Sequence, residues 1–176
     1  MIRITSGEFR SRLLKTPDTS LTKPTMDKVR LGVFSAIGDR VIKAHVLDLF
    51  AGSGSYGFEA LSRGASSACF VDNSHIANQC IKENANALKV NVSLYLNDVI
   101  SFLKETNDKF DLIFVDPPYK LDCYKEVVNL ILERELLTNN GIIVLETENL
   151  LNIDESKFAK VKMYKYGLAK AYILRK

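Results

Sequence analysis

Two stretches of this chain carry residue types at spacings that could do chemistry. The first is Asp116-Pro117-Pro118-Tyr119. Consecutive prolines fix φ and remove backbone donors. With the Asp116 carboxylate and the Pro117 carbonyl as acceptors, both hydrogens of an exocyclic –NH2 on a nucleobase can be gripped. That grip turns the nitrogen lone pair, otherwise delocalised into the ring, toward an electrophilic methyl group. Tyr119 supplies a face for stacking the base. A strand-ending Pro-Pro turn accounts for the prolines but not for the Asp and Tyr that flank them.

The second stretch is Asp48-Leu-Phe50-Ala-Gly52-Ser-Gly54-Ser-Tyr-Gly57, a glycine turn between an apolar run and a short helical segment. Gly52 and Gly54 permit positive φ, and Gly57 lets the helix approach the strand. The Gly-x-Gly-x-x-Gly spacing alone names no cofactor. The acids around it narrow the choice, because Asp48, Asp72, Asp98 and Asp116 each fall at the end of an expected strand. Taken singly, each reads as a turn or cap residue. Together at ligand-facing ends they describe a site. Asp72 is placed to hold ribose hydroxyls. Asp98 and the Val99 N–H suit an adenine edge, and Asp48 suits a cationic group, directly or through water. A nicotinamide dinucleotide would set its pyrophosphate among these acids, which is unfavourable. S-adenosylmethionine, an adenosyl ligand with a sulfonium and no phosphate, matches the charge pattern.

The elements that must position these residues follow from periodicity. Ile2–Thr5 and Phe9–Leu14 read as two short strands turned at Ser6-Gly7, too small to hold a core of their own. Thr25 is expected to cap a helix whose apolar face is Val29, Val33, Phe34 and Ile37. From residue 45 strands and helices alternate: strands at 46–50, 67–71, 92–96, 110–115 and 141–145, the last ending near Glu146. Helices are expected at 56–63, 74–89, 99–105 and 124–137. The tail, 159–166 and 169–174, reads as an antiparallel hairpin around Gly167. The expectation is an α/β, Rossmann-like, mostly parallel sheet with a C-terminal antiparallel hairpin. Residues 1–22 form a basic N-terminal hairpin extension and 23–176 the main domain.

Charge is unevenly spread over the 176 residues. Residues 1–30 carry a net +4, residues 157–176 a net +7, and the middle a net −8. Basic flanks around an acidic body point to a polyanion held by the flanks, although lysines on exposed strands also keep sheet edges soluble. Arg3, Arg10, Arg12 and Lys15 decorate the first hairpin, with Lys23, Lys28 and Arg30 close behind. No apolar run reaches the ~20 residues of a membrane span, and the first residues lack signal-peptide character. Cys69, Cys80 and Cys123 form no Cys-x-x-Cys pair, and His45 and His75 have no metal-like spacing. A cytoplasmic, metal-free monomer is expected.

With the glycine turn and Asp116-Pro-Pro-Tyr119 together, the chain resembles the class I S-adenosylmethionine-dependent N-methyltransferases. Arg3-Ile-Thr-Ser-Gly7, Arg12-x-Leu14, Pro17, Lys23-Pro-Thr-x-Asp27-Lys-Val-Arg30 and Phe34 are similar to one bacterial family within that class, the RsmD family. Its activity is methylation of N2 of a guanine in 16S ribosomal RNA. The resemblance implies a seven-stranded sheet with the last hairpin inserted antiparallel. It also implies S-adenosylmethionine as cofactor, 16S rRNA in the small subunit or an assembly intermediate as partner, and a basic N-terminal extension against RNA. The implied cofactor set is Asp48, Phe50, Gly52, Gly54, Gly57, Asp72, Asn73, Asp98 and Val99. The catalytic set is Asp116, Pro117, Pro118 and Tyr119. Lys23, Leu31 and Asp72 depart from the family's usual Arg, Glu and Glu. Three rivals stay open at this point: an adenine-N6 methyltransferase, a silent RNA-binding protein on the same fold, and a nicotinamide oxidoreductase.

Overall fold

The computed structural model describes residues 1–17, 24–118 and 121–176. In chain order the elements are β1 (Ile2–Arg3), β2 (Leu13–Leu14), α1 (Pro24–Ile37), β3 (His45–Leu49), α2 (Ser55–Ser62), β4 (Ser67–Asp72) and α3 (His75–Leu88). They continue with β5 (Ser93–Leu96), α4 (Val99–Glu105), β6 (Phe110–Val115), α5 (Tyr124–Glu133), β7 (Leu137–Thr147), β8 (Lys160–Tyr166) and β9 (Ala169–Arg175). Seven strands form one sheet in the order β5-β4-β3-β6-β7-β9-β8. All neighbours through β7 are parallel, and β9 lies antiparallel between β7 and β8. The expected α/β sheet with an inserted terminal hairpin is therefore the fold. Strand order reverses between β3 and β6, and in such sheets ligands bind off the carboxyl ends at that point.

Alternation along each strand divides the core. Val46, Phe70, Leu112, Phe114, Val144 and Ile173 face α1, α2 and α3. Leu47, Leu49, Val71, Ile113, Val115 and Leu145 face α4 and α5. Both sides being covered explains why β6 reads as an almost unbroken apolar run. Element ends follow local capping. The Ser74 side chain accepts from Ala77 N and starts α3, while Lys89 at φ +58 ends it. The Asp98 side chain accepts from Ser101 N and starts α4. The proposed Thr25 cap involves a side chain outside the described set.

Two boundaries differ from the sequence expectation. The β1–β2 ladder holds only Ile2↔Leu14 and Arg3↔Leu13, instead of strands over 2–5 and 9–14. The intervening residues turn over the end of α2, where Glu8 N donates to Ser62 O and Phe9 N to Ser62 Oγ. Ile2, Ile4 and Leu14 join the same core as Phe34 and Phe58, so this segment leans on the main domain as a small hairpin must. The second difference lies around β7. It spans 11 residues, because its register with β6 shifts between Phe110↔Leu137 and Leu112↔Ile142, so that residues 138–141 are accommodated between the first pair and the regular run. Helix α5 accordingly stops at Glu133, four residues earlier than expected. No helix among the described residues is long and apolar enough to cross a membrane.

Candidate active site

The glycine turn joins β3 to α2 with three consecutive demands on the backbone. Phe50, Gly52 and Gly54 all have positive φ, at 58°, 55° and 75°. Gly54 N donates to Ala51 O at 2.6 Å, closing the turn immediately before α2. Gly57 matters for a different reason. A Cβ there would sit 2.3 Å from the Phe70 ring, so only glycine lets α2 lie this close to β4. Phe50, a non-glycine residue in the left-handed region, is in an uncommon conformation that its surroundings must hold.

Asp48 sits behind this turn, not in it. Its side chain is 2% exposed and its Oδ2 accepts from Gly57 N at 2.9 Å. This backbone contact fixes the start of α2, and a ligand cation, directly or through water, is the further partner proposed for the carboxylate. Burial pushes the Asp48 carboxyl up to about 8; the Gly57 N–H opposes that rise and the Asp72 charge adds to it. In the unfolded chain such a carboxyl titrates near 4. A raised folded value means that stability is lost as pH climbs from about 4 to about 8. Asp48→Asn keeps an acceptor for Gly57 and removes the charge. In thermal melts without added ligand it should therefore exceed wild type at pH 8.5 and converge on it toward pH 4.5. A wild-type protein equally stable at pH 8.5 would refute this reading of Asp48.

In front of the turn, a cavity of about 340 Å³ is lined by Phe50, Gly52, Asp72, Asn73, Asp98, Val99, Asp116, Pro117, Pro118 and Leu121. Asp72 Oδ2 accepts from Gly52 N and Oδ1 from Ser74 N, both at 2.8 Å, so the carboxylate is held rigidly at the end of β4. Asp98 caps α4 through Oδ1, which leaves its Oδ2 without a protein partner among the described residues. Gly54 and Gly57 shape this cavity from behind and do not line it. Nine residues expected from sequence therefore meet in one space, with three carboxylates on its walls. Such walls suit a polyhydroxylated or cationic ligand and disfavour a polyphosphate. No group of His, Cys, Asp or Glu among the described residues could hold a metal ion.

Asp116 directly follows β6 at the cavity rim, and Leu121 N donates to the Pro118 carbonyl at 2.8 Å. Pro117 is buried and Pro118 exposed, while Tyr119 lies outside the described residues. Burial raises the Asp116 carboxyl well above the usual range, and the Glu146 and Asp48 charges raise it further. Glu146, expected at the end of the fifth strand, is given no role by the sequence. It stands at the end of β7, accepts from the Tyr56 hydroxyl at 2.5 Å, and has its own backbone carbonyl bonded by the Tyr124 hydroxyl at 2.7 Å. The signal was available: the fifth strand ends in an acid just as the other four do. Tyr56 stacks on Phe114 with ring centroids 4.6 Å apart, linking the glycine turn to the strand that carries Asp116.

The basic residues divide. Arg3, Arg10, Arg12, Lys15 and Lys28 are exposed. Arg12 donates to Ala87 O at 2.6 Å in the last turn of α3, and Lys15 pairs with Glu83 at 2.7 Å. Arg3 donates to Ser11 O. Lys23 lies outside the described residues. Arg30 is corrected: expected as a surface contact, it is 2% exposed and bonds Asp27, Arg3 O and Glu59. Glu59 is fully buried and also accepts from Thr5 N, Thr5 Oγ1 and Arg63 Nε. Arg30, Glu59 and Arg63 thus form an internal ion cluster that ties the N-terminal segment to α1 and α2.

The model of the family described as Conserved hypothetical protein 95 matches residues 2–175. A Bacillus subtilis protein named "Putative rRNA methyltransferase YlbH" is 38% identical over 99% of both chains. The Escherichia coli protein named ribosomal RNA small subunit methyltransferase D is 34% identical over 84% of this chain and 75% of its own. A solved Escherichia coli structure, titled "Putative methyltransferase yhhF", superposes with a TM-score of 0.86. It is 29% identical and covers 99% of this chain and 97% of its own.

Proposed function

The chain belongs to the Conserved hypothetical protein 95 family, the RsmD family of rRNA methyltransferases, and from that premise we propose that it methylates the exocyclic N2 of a guanine in 16S rRNA. The cofactor is S-adenosylmethionine, whose sulfonium supplies the methyl group. The observation that carries the reading is the single cavity in which Asp116-Pro117-Pro118 meets Gly52, Asp72, Asn73, Asp98 and Val99. One end of that space suits an adenosyl group and the other an amine acceptor.

The residues divide the work as follows. Asp72 takes the ribose hydroxyls, and Asp98 with the Val99 N–H takes the adenine edge. Gly52 and Phe50 form the floor beneath the methionine part. Asp116 and the Pro117 carbonyl hold the two amine hydrogens, so that the nitrogen lone pair points along the transfer axis. Tyr119 stacks on the base. Alignment supplies most of the rate enhancement, and no covalent enzyme intermediate is needed. The three cysteines are all buried, Cys69 and Cys123 are pushed up by burial to about 12 and about 11, and none lines this cavity. A guanine presented this way must be unpaired or extruded from the RNA fold. The protein acts as a monomer on the small ribosomal subunit or an assembly intermediate.

Mass spectrometry of 16S rRNA from cells with and without the protein tests the product directly. Loss of one N2-methylguanine on deletion is the expected result. Loss of an N6-methyladenine instead, or an unchanged nucleoside profile, would reject the assignment. Tritiated-methyl transfer to subunits, naked RNA and duplex DNA then fixes the substrate form.

Arg3, Arg10 and Lys28, whose side chains stay exposed, are the proposed phosphate contacts. Arg3→Glu with Arg10→Glu should weaken RNA binding at low salt and lower the slope of log affinity against log salt by about 0.7–0.9 per lost phosphate contact. Filter binding across a salt series reads both quantities; unchanged affinity and slope would remove these arginines from the interface.

A further inference from the structure

We propose that Glu146, held by the Tyr56 hydroxyl, is a positioning residue for methyl transfer, the partner that makes the Asp116 carboxylate the acceptor of the proton leaving the amine. The proposal rests on the methyl-transfer reading and adds to it a carboxyl pair.

The geometry comes from register. Val115 of β6 pairs with Leu145 of β7, so Asp116 and Glu146 are the next residues along adjacent parallel strands. By alternation both follow Phe114 and Val144 onto the face covered by α1 and α2. Neighbouring strands run about 4.8 Å apart, close enough that two carboxylates there do not both ionise cheaply. Tyr56 pins one member of the pair from the cofactor turn, and Tyr124 pins the strand that carries it. Among the described residues, the charged and titratable groups acting on the pair are Arg30 of α1, Tyr56 of α2, Asp48 of β3 and Tyr124 of α5. Burial raises Glu146, while the Tyr56 hydroxyl and then Arg30 oppose the rise. Asp116 has no such opposition. The Tyr56 hydroxyl donates to Glu146 and favours its ionised form, while no hydrogen bond among the described residues does the same for the Asp116 carboxylate, so a proton taken up by the pair is directed to Asp116.

A strong base beside the amine has one use in this reaction. The N2 lone pair forms the N–C bond while the C–S bond breaks, and its electron pair stays on sulfur as a neutral thioether. The nitrogen is left cationic with one proton too many. The Asp116 carboxylate takes that proton and gives it to water as product leaves. A cationic donor in the adjoining cavity keeps Asp116 ionised until then, and Glu146 keeps it basic. A base poised near the working pH is the efficient one.

Two measurements test this on the intact protein. In the free protein, carboxyl carbon NMR follows the titration of Asp116, with Asp116→Asn identifying the resonance. Glu146→Gln should move that titration down by roughly one pH unit or more. Tyr56→Phe, which keeps the ring on Phe114, lets Glu146 compete for the shared proton and should move the Asp116 titration down by less. In single-turnover transfer to undermethylated subunits, the acid limb of the pH profile should shift the same way in both variants. The plateau rate should fall about tenfold in Glu146→Gln, with S-adenosylmethionine affinity unchanged by calorimetry. An Asp116 titration and a pH profile that superimpose on wild type in both variants would overturn the proposal. Wild-type protein with the predicted NMR behaviour but no methyl transfer would instead sink the functional reading and leave the carboxyl pair standing.

Discussion

Asp116→Ala should reduce methyl transfer by about 10³-fold or more while S-adenosylmethionine still binds within a few-fold of wild type. The size of the effect follows from two losses at one atom position. In the proposed mechanism the carboxylate grips one amine hydrogen, and misplacing the reacting nitrogen by even an ångström is costly when alignment supplies most of the rate. The same proposal makes it the proton acceptor, a role worth about 10²–10⁴-fold. Cofactor affinity is expected to be spared because the proposed adenosyl contacts lie elsewhere on the cavity wall, at Asp72 on the end of β4 and at Asp98 and Val99 on the start of α4. Stability supplies an internal control. Asp116 has a raised folded value, so its ionisation opposes folding as pH rises above about 4. The alanine variant should consequently melt at or above the wild-type temperature at pH 8. An inactive variant that melts well below wild type would signal a structural defect. Wild-type turnover in a folded variant would remove Asp116 from the mechanism. A protein destabilised by its own reacting group is a familiar trade of stability for function.

The parts of this site legible in the sequence are those whose chemistry is local. The Asp116-Pro-Pro turn and the Gly52–Gly57 turn are decided by φ restrictions within a few residues, and the strand-end acids by the alternation around them. Distant partners were not legible. Arg30 lies off the apolar stripe of α1, which on a helix alone means solvent; the N-terminal segment covers that flank and encloses it. Glu59 sits between Phe58 and Ala60 on a short helix and reads as a surface charge. Its partners are 54 and 29 residues away, at Thr5 and Arg30. The first hairpin misled for the same reason: its alternation looked like two strands, but Ser62 on α2 draws the middle of the segment into turns. Asp48 is legible as a strand-end acid, whereas its bond from Gly57 N is set only when the turn brings α2 back against β3.

Glu59→Ala should cost the protein about 3–5 kcal/mol, the largest single-site loss of stability expected here. The reasoning begins with what truncation leaves behind. Arg30 would remain 2% exposed with one carboxylate, Asp27, at the protein surface, and Arg63 would lose its bond to Glu59 Oε1. A guanidinium enclosed without full compensation is far more costly than the original pair was favourable. Thr5 N and Thr5 Oγ1 would lose their acceptors together, so the N-terminal segment would be held to α2 chiefly through Ser62. For a domain of this size the expected fall in melting temperature is on the order of 10 °C. Limited proteolysis should cut within the first 17 residues before the remainder unfolds. The double variant Glu59→Gln with Arg30→Met removes the fully enclosed Arg30–Glu59 pair while retaining volume and an acceptor for Thr5 and the partly exposed Arg63, and should recover most of the loss. A cluster kept only for stability would be replaced this way without consequence. If the double variant is stable and yet binds RNA more weakly, then the cluster's purpose is to hold Arg3 and Arg10 in place for RNA. The same ions that close the core would then set the shape of the basic surface.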